Sequence, residues 1–295
     1  MARIKEKTKM KKLLVLTDFT ANAAHAAKAA VQFSSKLHAD LLLYHSVQSL
    51  PIVPDYSGGP YVTEAANILF NDCKEQLNKE AEPLRSLPIK TDGYHPKISC
   101  INGEGTLGDN IKELSGQQGI QMVIMGGRSG GLLDHLLTGS ETAKVIREAK
   151  KPVLIIPAKA NLDIIEKIVF ATDFSAADIS AVRYLLEIAH LLGVHLEIVH
   201  VAPAGEVVTD VLPEIAFREY LNQLDNNRVS YQQLNGDHIS QLLQEHCHVT
   251  GADVLAMTRG HHDFISRVFG HSETRQAIAQ DKLAVLIFPP DFEEN

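Results

Sequence analysis

An internal repeat constrains this chain more than any other feature. Residues 12–19 read KLLVLTDF and residues 167–174 read KIVFATDF. Each is a short apolar run that closes on Thr-Asp-Phe and leads into an Ala-rich helical pattern. The offset is 155 from Thr17 to Thr172, and LLLYH at 41–45 answers LEIVH at 196–200 with the same offset. Further on the offset is 132: SET at 140–142 answers SET at 272–274, and VLIIP at 153–157 answers VLIFP at 285–289. The change from 155 to 132 makes the second copy 23 residues shorter between its second strand and its last helix. The join falls near Ala158 to Leu162, giving units of residues 1–159 and 160–295. A length of 295 residues fits two such domains.

Within the first copy, Leu13–Leu16 reads as a strand buried on both faces, because its apolar run is unbroken. Asp18 or Thr20 can cap a helix that runs to about Leu37, with Ala24, Ala27, Ala30, Val31 and Leu37 on its inner face. Leu41–Val47 is a second strand, and 48–62 a loop rich in Pro and Gly. A helix over 64–87, a third strand over 97–101, a helix over 107–118, a fourth strand over 121–125, a helix over 140–149 and a fifth strand over 153–156 follow. Strands that alternate with helices imply parallel sheets with right-handed crossovers. The fold class expected is α/β: two tandem doubly wound five-stranded parallel sheets of order 3-2-1-4-5. In that order the topological switch point lies between strands 1 and 4. Their carboxyl ends are Thr17-Asp18 and Gly126-Gly127, so a carboxylate and a glycine-rich turn meet at one crevice.

The segment 125–141 reads MGGRSGGLLDHLLTGSE. Glycines let backbone N–H groups approach a phosphate without a Cβ in the way, and a helix N-terminus beginning at Ser140 adds aligned donors. Arg128 can supply a bidentate charge, and Asp18 can accept from a ribose hydroxyl or a base amino group. The same stretch also reads as a surface turn with a capped helix, since Thr138 and Glu141 have capping-box spacing. A second glycine pattern, Gly103, Gly105 and Gly108, is a literal G-x-G-x-x-G. It follows the third strand rather than the first, so it reads as a tight strand-to-helix turn. No glycine run is followed by Lys and Ser or Thr, so there is no P-loop.

Thr-Asp-Phe after strand one, a His near the end of strand two, and a glycine loop closing on Gly139-Ser140 together resemble the universal stress proteins, twice over nearly the whole chain. That family has an adenine nucleotide alpha hydrolase-like fold. The resemblance implies that ATP binds in the first repeat. Its phosphates would lie against Gly126, Arg128, Ser129, Gly139, Ser140 and Thr142, and its adenosine against Thr17, Asp18 and Ser46. Ser129 stands where the family's second glycine belongs, and Glu141 lies beside the expected phosphates. Under the 132 offset, Gly126, Ser129 and Gly139 become Thr258, His261 and His271, so the second repeat is expected to bind no triphosphate. The resemblance also implies that the repeats associate through their fifth strands, 153–156 and 285–288, as a pseudo-dimer, which leaves a further homodimer open.

The remaining chemistry-bearing residues are read as structural. His246-Cys247-His248 carries zinc-ligand types. Successive helical residues point about 100° apart, so the segment reads as a helix end with solvent-facing imidazoles and a buried Cys, and no metal is expected. His45 and His200 read as structural, and no paired carboxylates or Ser-His-Asp order marks a catalytic centre. The net charge of -8 argues against a general nucleic-acid binder. No apolar run approaches the roughly 20 residues of a membrane span, and the basic N-terminus reads as a solvated tail without a signal peptide. Three separated cysteines fit a reducing cytoplasm. The expected function is regulatory ATP binding in a stress response, not enzymatic, with magnesium left open. The alternatives are a nucleotide-independent protein-interaction module and a slow ATP hydrolase.

Overall fold

The computed structural model describes residues 11–47, 61–90, 94–127, 140–202, 212–223, 227–259 and 282–293. The first half runs β1 (Lys12–Leu16), α1 (Ala21–Leu37), β2 (Asp40–Val47), α2 (Tyr61–Arg85), β3 (Ile98–Glu104), α3 (Leu107–Gly116), β4 (Ile120–Gly126), α4 (Ser140–Glu148) and β5 (Val153–Ile156). The second half runs β6 (Lys167–Thr172), α5 (Ala176–Leu192), β7 (His195–Ala202), α6 (Leu212–Gln223), β8 (Val229–Asn235), α7 (Ile239–Thr250), β9 (Val254–Thr258) and β10 (Ala284–Phe288).

The ten described strands join one sheet of order β3-β2-β1-β4-β5-β10-β9-β6-β7-β8. Each half has the expected 3-2-1-4-5 order, and every pairing within a half is parallel. The halves meet where β5 and β10 pair antiparallel, with Leu154 opposite Leu286. Those two leucines are counterparts in the repeat, so each faces its own equivalent across a local two-fold axis. Joining here removes two apolar edges that would otherwise template aggregation.

Successive strand residues point to opposite faces, which sorts the core into two layers. Leu13 and Val15 pack with Ala26, Ala30 and Leu77 from α1 and α2, and the same layer continues through Ala181 of α5 and Phe217 of α6. Leu14 and Leu16 pack on the other face with Ile111 of α3, Val145 of α4 and Leu243 of α7. The small residues of α1 let it lie close on the sheet: Ala26 and Ala30 are fully buried. Within the described residues, α2 has 25 residues and its counterpart α6 has 12. Tyr184 of α5 donates to the Gln121 carbonyl at 3.2 Å and sits edge-on to Phe288 and Phe292, tying α5 to both halves. No described helix is long and apolar enough to cross a membrane.

Candidate functional site

The Thr-Asp-Phe motif builds the same turn in both halves. In the first, the Phe19 amide donates to Thr17 Oγ1 at 3.0 Å, and the Thr20 amide donates to Asp18 Oδ1 at 3.0 Å. The Thr20 hydroxyl also donates to Asp18 Oδ1, at 2.6 Å, and its oxygen accepts from the Ala23 amide as the N-cap of α1. These bonds satisfy donors that the helix start leaves open. Phe19 takes a left-handed conformation, φ 64°, a costly one for a non-glycine residue. Its ring packs on His45 at 4.3 Å between centroids, and His45 Nδ1–H donates to the Thr17 carbonyl at 2.8 Å. The second half repeats each part. Phe174 has φ 63°, its amide donates to Thr172 Oγ1, and the Ser175 amide donates to Asp173 Oδ1. Phe174 stacks on His200 at 4.2 Å, and His200 donates to the Thr172 carbonyl at 2.9 Å. The strand-two histidines therefore do structural work in both copies.

The halves differ in what satisfies the threonine hydroxyl. Thr17 Oγ1 donates to the Glu80 carboxylate on α2, at 2.9 and 3.0 Å. Burial pushes the Glu80 carboxyl above its ordinary range and the nearby Asp18 charge adds to this, while the Thr17 hydroxyl and His45 oppose it. Glu80 thus adds a second carboxylate near Asp18, where the sequence showed no pair. Sequence reading missed Glu80 because it is 63 residues from Thr17. In the second half Thr172 Oγ1 instead donates to Asp178 Oδ2 at 2.6 Å. Phe217 of α6 lies edge-on to Phe174 at 5.6 Å.

The end of β4 makes a close approach. A Cβ on Gly126 would fall 2.7 Å from the Asn22 carbonyl carbon and oxygen and 2.9 Å from the Ala23 nitrogen, so only glycine lets β4 meet the start of α1 here. Gly127 continues as backbone, its amide donating to the Ile156 carbonyl at 2.8 Å. Ser140 opens α4, and Thr142 in its first turn is buried. Glu141 is held by Lys144 at 2.9 Å, which offsets its charge near the helix start. Arg128, Ser129 and Gly139 lie outside the described residues.

Ser46 is occupied by the neighbouring turn: its hydroxyl donates to the Gly105 carbonyl at 3.2 Å and accepts from Asn110 Nδ2 at 3.3 Å. That turn is the G-x-G-x-x-G segment, and its glycines have packing reasons. A Cβ on Gly103 would overlap the buried Tyr44 hydroxyl, and Gly105 has φ 100°.

The sequence model of the universal stress protein family matches residues 9–157. The chain belongs to the universal stress protein family. Universal stress protein MJ0577 of Methanocaldococcus jannaschii is 25% identical over 155 residues, covering 50% of this chain and 96% of that protein. A Thermus aquaticus universal stress protein, from the QAH/OAS sulfhydrylase 3' region, is 29% identical over 146 residues, covering 50% of this chain and 98% of its own. Over the full length, the fold resembles a universal stress protein from Archaeoglobus fulgidus DSM 4304 at a TM-score of 0.67 and 17% identity, covering 94% of this chain and 98% of that one. A functionally unknown protein, PA1789 from Pseudomonas aeruginosa PAO1, gives a TM-score of 0.52 at 15% identity, covering 96% and 93%. Both structures speak to the fold alone.

In this universal stress protein the second half carries larger, buried side chains at the matching positions. Thr258 ends β9 where Gly126 ends β4, and Asp178 stands in α5 where Ala23 stands in α1. Asp178 is 1% exposed, and its carboxyl is pushed up to about 6, chiefly by burial and further by the Asp173 charge, against the opposing hydrogen bond from Thr172. The hydroxyls of Ser175 and Thr258 face the same carboxylate and favour its charge, yet neither makes a hydrogen bond of good geometry.

The histidine cluster is corrected in one respect. Cys247 is buried, which pushes its thiol up to about 12, and His248 is exposed on an unbroken α7. His246 is not solvent-facing: its Nε2 lies 2.9 Å from Glu197 Oε2, which Lys167 also holds at 2.8 Å. A carboxylate buried on β7 takes both partners because an unpaired one is costly. Among the described residues no three His, Cys, Asp or Glu side chains cluster as metal ligands. His261, His262 and His271 lie outside those residues.

Proposed function

We propose that the first half binds an adenine nucleotide, ATP, and that the protein acts as a nucleotide-responsive regulator in a stress response rather than as an enzyme. One contrast carries this reading. At the first crevice the strand end and helix start carry Gly126, Gly127 and Ala23, where the second half has Thr258, Arg259 and the buried Asp178. Side-chain-free backbone beside the start of α4 suits a phosphate, which aligned N–H groups and the helix dipole favour. A buried carboxylate repels one. In this proposal Gly126, Arg128, Ser129, Gly139, Ser140 and Thr142 meet the phosphates, and Thr17, Asp18 and Ser46 lie on the adenosine side. Binding without turnover fits the state of Asp18, whose Oδ1 already accepts two bonds from Thr20 and is held in the helix cap instead of standing free as a base.

ATP titration into the full chain tests this. Asp18→Ala and Gly139→Val should each abolish binding, and Asp173→Ala should leave it intact. No saturation at millimolar ATP would end the proposal. A turnover assay with and without magnesium addresses hydrolysis, and a rate above the buffer blank would reassign the protein as a slow hydrolase.

A second reading, a nucleotide-independent interaction module, has a specific observation in its favour. Asp18 and Asp173 make the same cap, so the motif has a structural reason to persist without a ligand. Purified protein that carries nucleotide favours the first reading over this one.

A further inference from the structure

A cleft of about 690 Å³ opens at the amino-terminal ends of β1 and β4, the opposite edge of the strands from the crevice described above. Its walls come from both halves: Leu13, Leu37 and Ile120 from the first, and Tyr184, Ile188 and Leu191 from α5 of the second. That volume is within the roughly 300–1,000 Å³ typical of small-molecule sites, which favour boundaries between structural units. Leu191 is 48% exposed at the rim, and Leu13, Leu37, Ile120, Tyr184 and Ile188 behind it are buried, so the apolar wall lies deep in the cleft.

The charges in the cleft are unbalanced. Lys151 is half-buried there, and desolvation lowers its pKa. Among the described residues it makes no ion pair or hydrogen bond that would repay that cost, unlike Lys167 or Lys144, which each hold a carboxylate. Lys11 lines the same cleft at an exposed position. One acid, Glu187, is also exposed on the lining and pairs with neither lysine. Gln117, Gln118 and Gln121 supply neutral polar groups along one side. A partly desolvated ammonium beside an aliphatic wall is complementary to an anionic head on an apolar body.

We propose that this cleft binds a small amphipathic organic acid, with its carboxylate on Lys151 and its hydrocarbon or aromatic body against Leu37, Ile188 and Leu191. The inference is independent of the nucleotide reading, because the two sites share no residue. Occupancy would add to the existing Tyr184–Gln121 tie between α5 and the first half.

Calorimetric titration of decanoate into the full chain is the test, with decanol as the uncharged control. Decanoate should saturate one site per chain, and ATP should not displace it. Decanol and the Lys151→Met variant should each bind about tenfold more weakly, as loss of a charge-assisted contact predicts. Lys151→Arg should restore affinity to within about threefold of the unsubstituted protein, since the cation is retained. Circular dichroism of each variant checks that the fold is kept. Absence of saturation, equal binding of decanol, or undiminished binding to Lys151→Met would each overturn the proposal.

Discussion

Replacing Asp178 with Asn tests whether the second half buries an uncompensated charge where the first has Ala23. The carboxyl has an ordinary value of 3.8 and is pushed up to about 6 in the fold, chiefly because burial disfavours its charge. A folded value above the unfolded one means that protonation favours the folded state. Below 3.8 both states hold the proton and the residue carries no penalty. Between there and about 6 the unfolded chain loses its proton first, so stability falls as pH rises. Above that window the full penalty applies: a shift of roughly two pKa units corresponds to about 3 kcal/mol. Asn is nearly isosteric and uncharged. Its oxygen can still accept from Thr172, and its amide can donate toward Ser175 or Thr258, whose hydroxyls lack a well-formed partner. Asp178→Asn should therefore stabilise the protein by about 1–3 kcal/mol at neutral pH, with the gain vanishing in acid. Urea unfolding of both proteins across that pH range, followed by far-ultraviolet circular dichroism, reads the difference. A gain that does not shrink on acidification, or a variant less stable than the parent at neutral pH, would refute the reasoning. The first result would mean that the gain does not come from the charge, and the second that the buried charge has a compensating partner.

Gly126→Ala should destabilise the protein by about 2 kcal/mol or more and weaken nucleotide binding, because the new methyl meets main chain that cannot swing aside. Thermal melting and ATP titration on the same sample check both effects. His45→Ala and His200→Ala should each cost about 1–2 kcal/mol, and nearly the same amount, since each removes one ring contact and one bond to a buried carbonyl. Denaturant midpoints for the pair check this; a large disparity would show that the two turns are not equivalent. Glu80→Gln keeps a partner for the Thr17 hydroxyl while removing a charge near Asp18. It should tighten ATP by about threefold, with less effect at high salt.

The sheet order was legible because the Thr-Asp-Phe repeat and the VLI strands recur in the same sequence order, and connectivity plus handedness leaves little freedom in such a unit. The site was legible only in part. Gly126 stood out because glycines after a strand are rare enough to notice, and its close approach to α1 gives the reason. Glu80 could not be found, since it sits within an ordinary charged helix and meets Thr17 only through the packing of α2 on the sheet. Asp178 reads in sequence as a first-turn helix acid of the kind that normally faces solvent. It is buried at the end of β9, with Thr172, Thr258 and Ser175 around its carboxylate. His246 was misread for a similar reason: helical periodicity shows which face it takes, but not that Glu197 waits beneath that face.

The central claim is that one chain holds one working nucleotide site, with larger, buried side chains at the matching positions of the second half. ATP titration calorimetry on the full chain measures this directly through stoichiometry. The account predicts a single site per chain that Asp18→Ala removes and Asp173→Ala leaves unchanged. Two sites per chain, or a site lost with Asp173 and kept without Asp18, would contradict it.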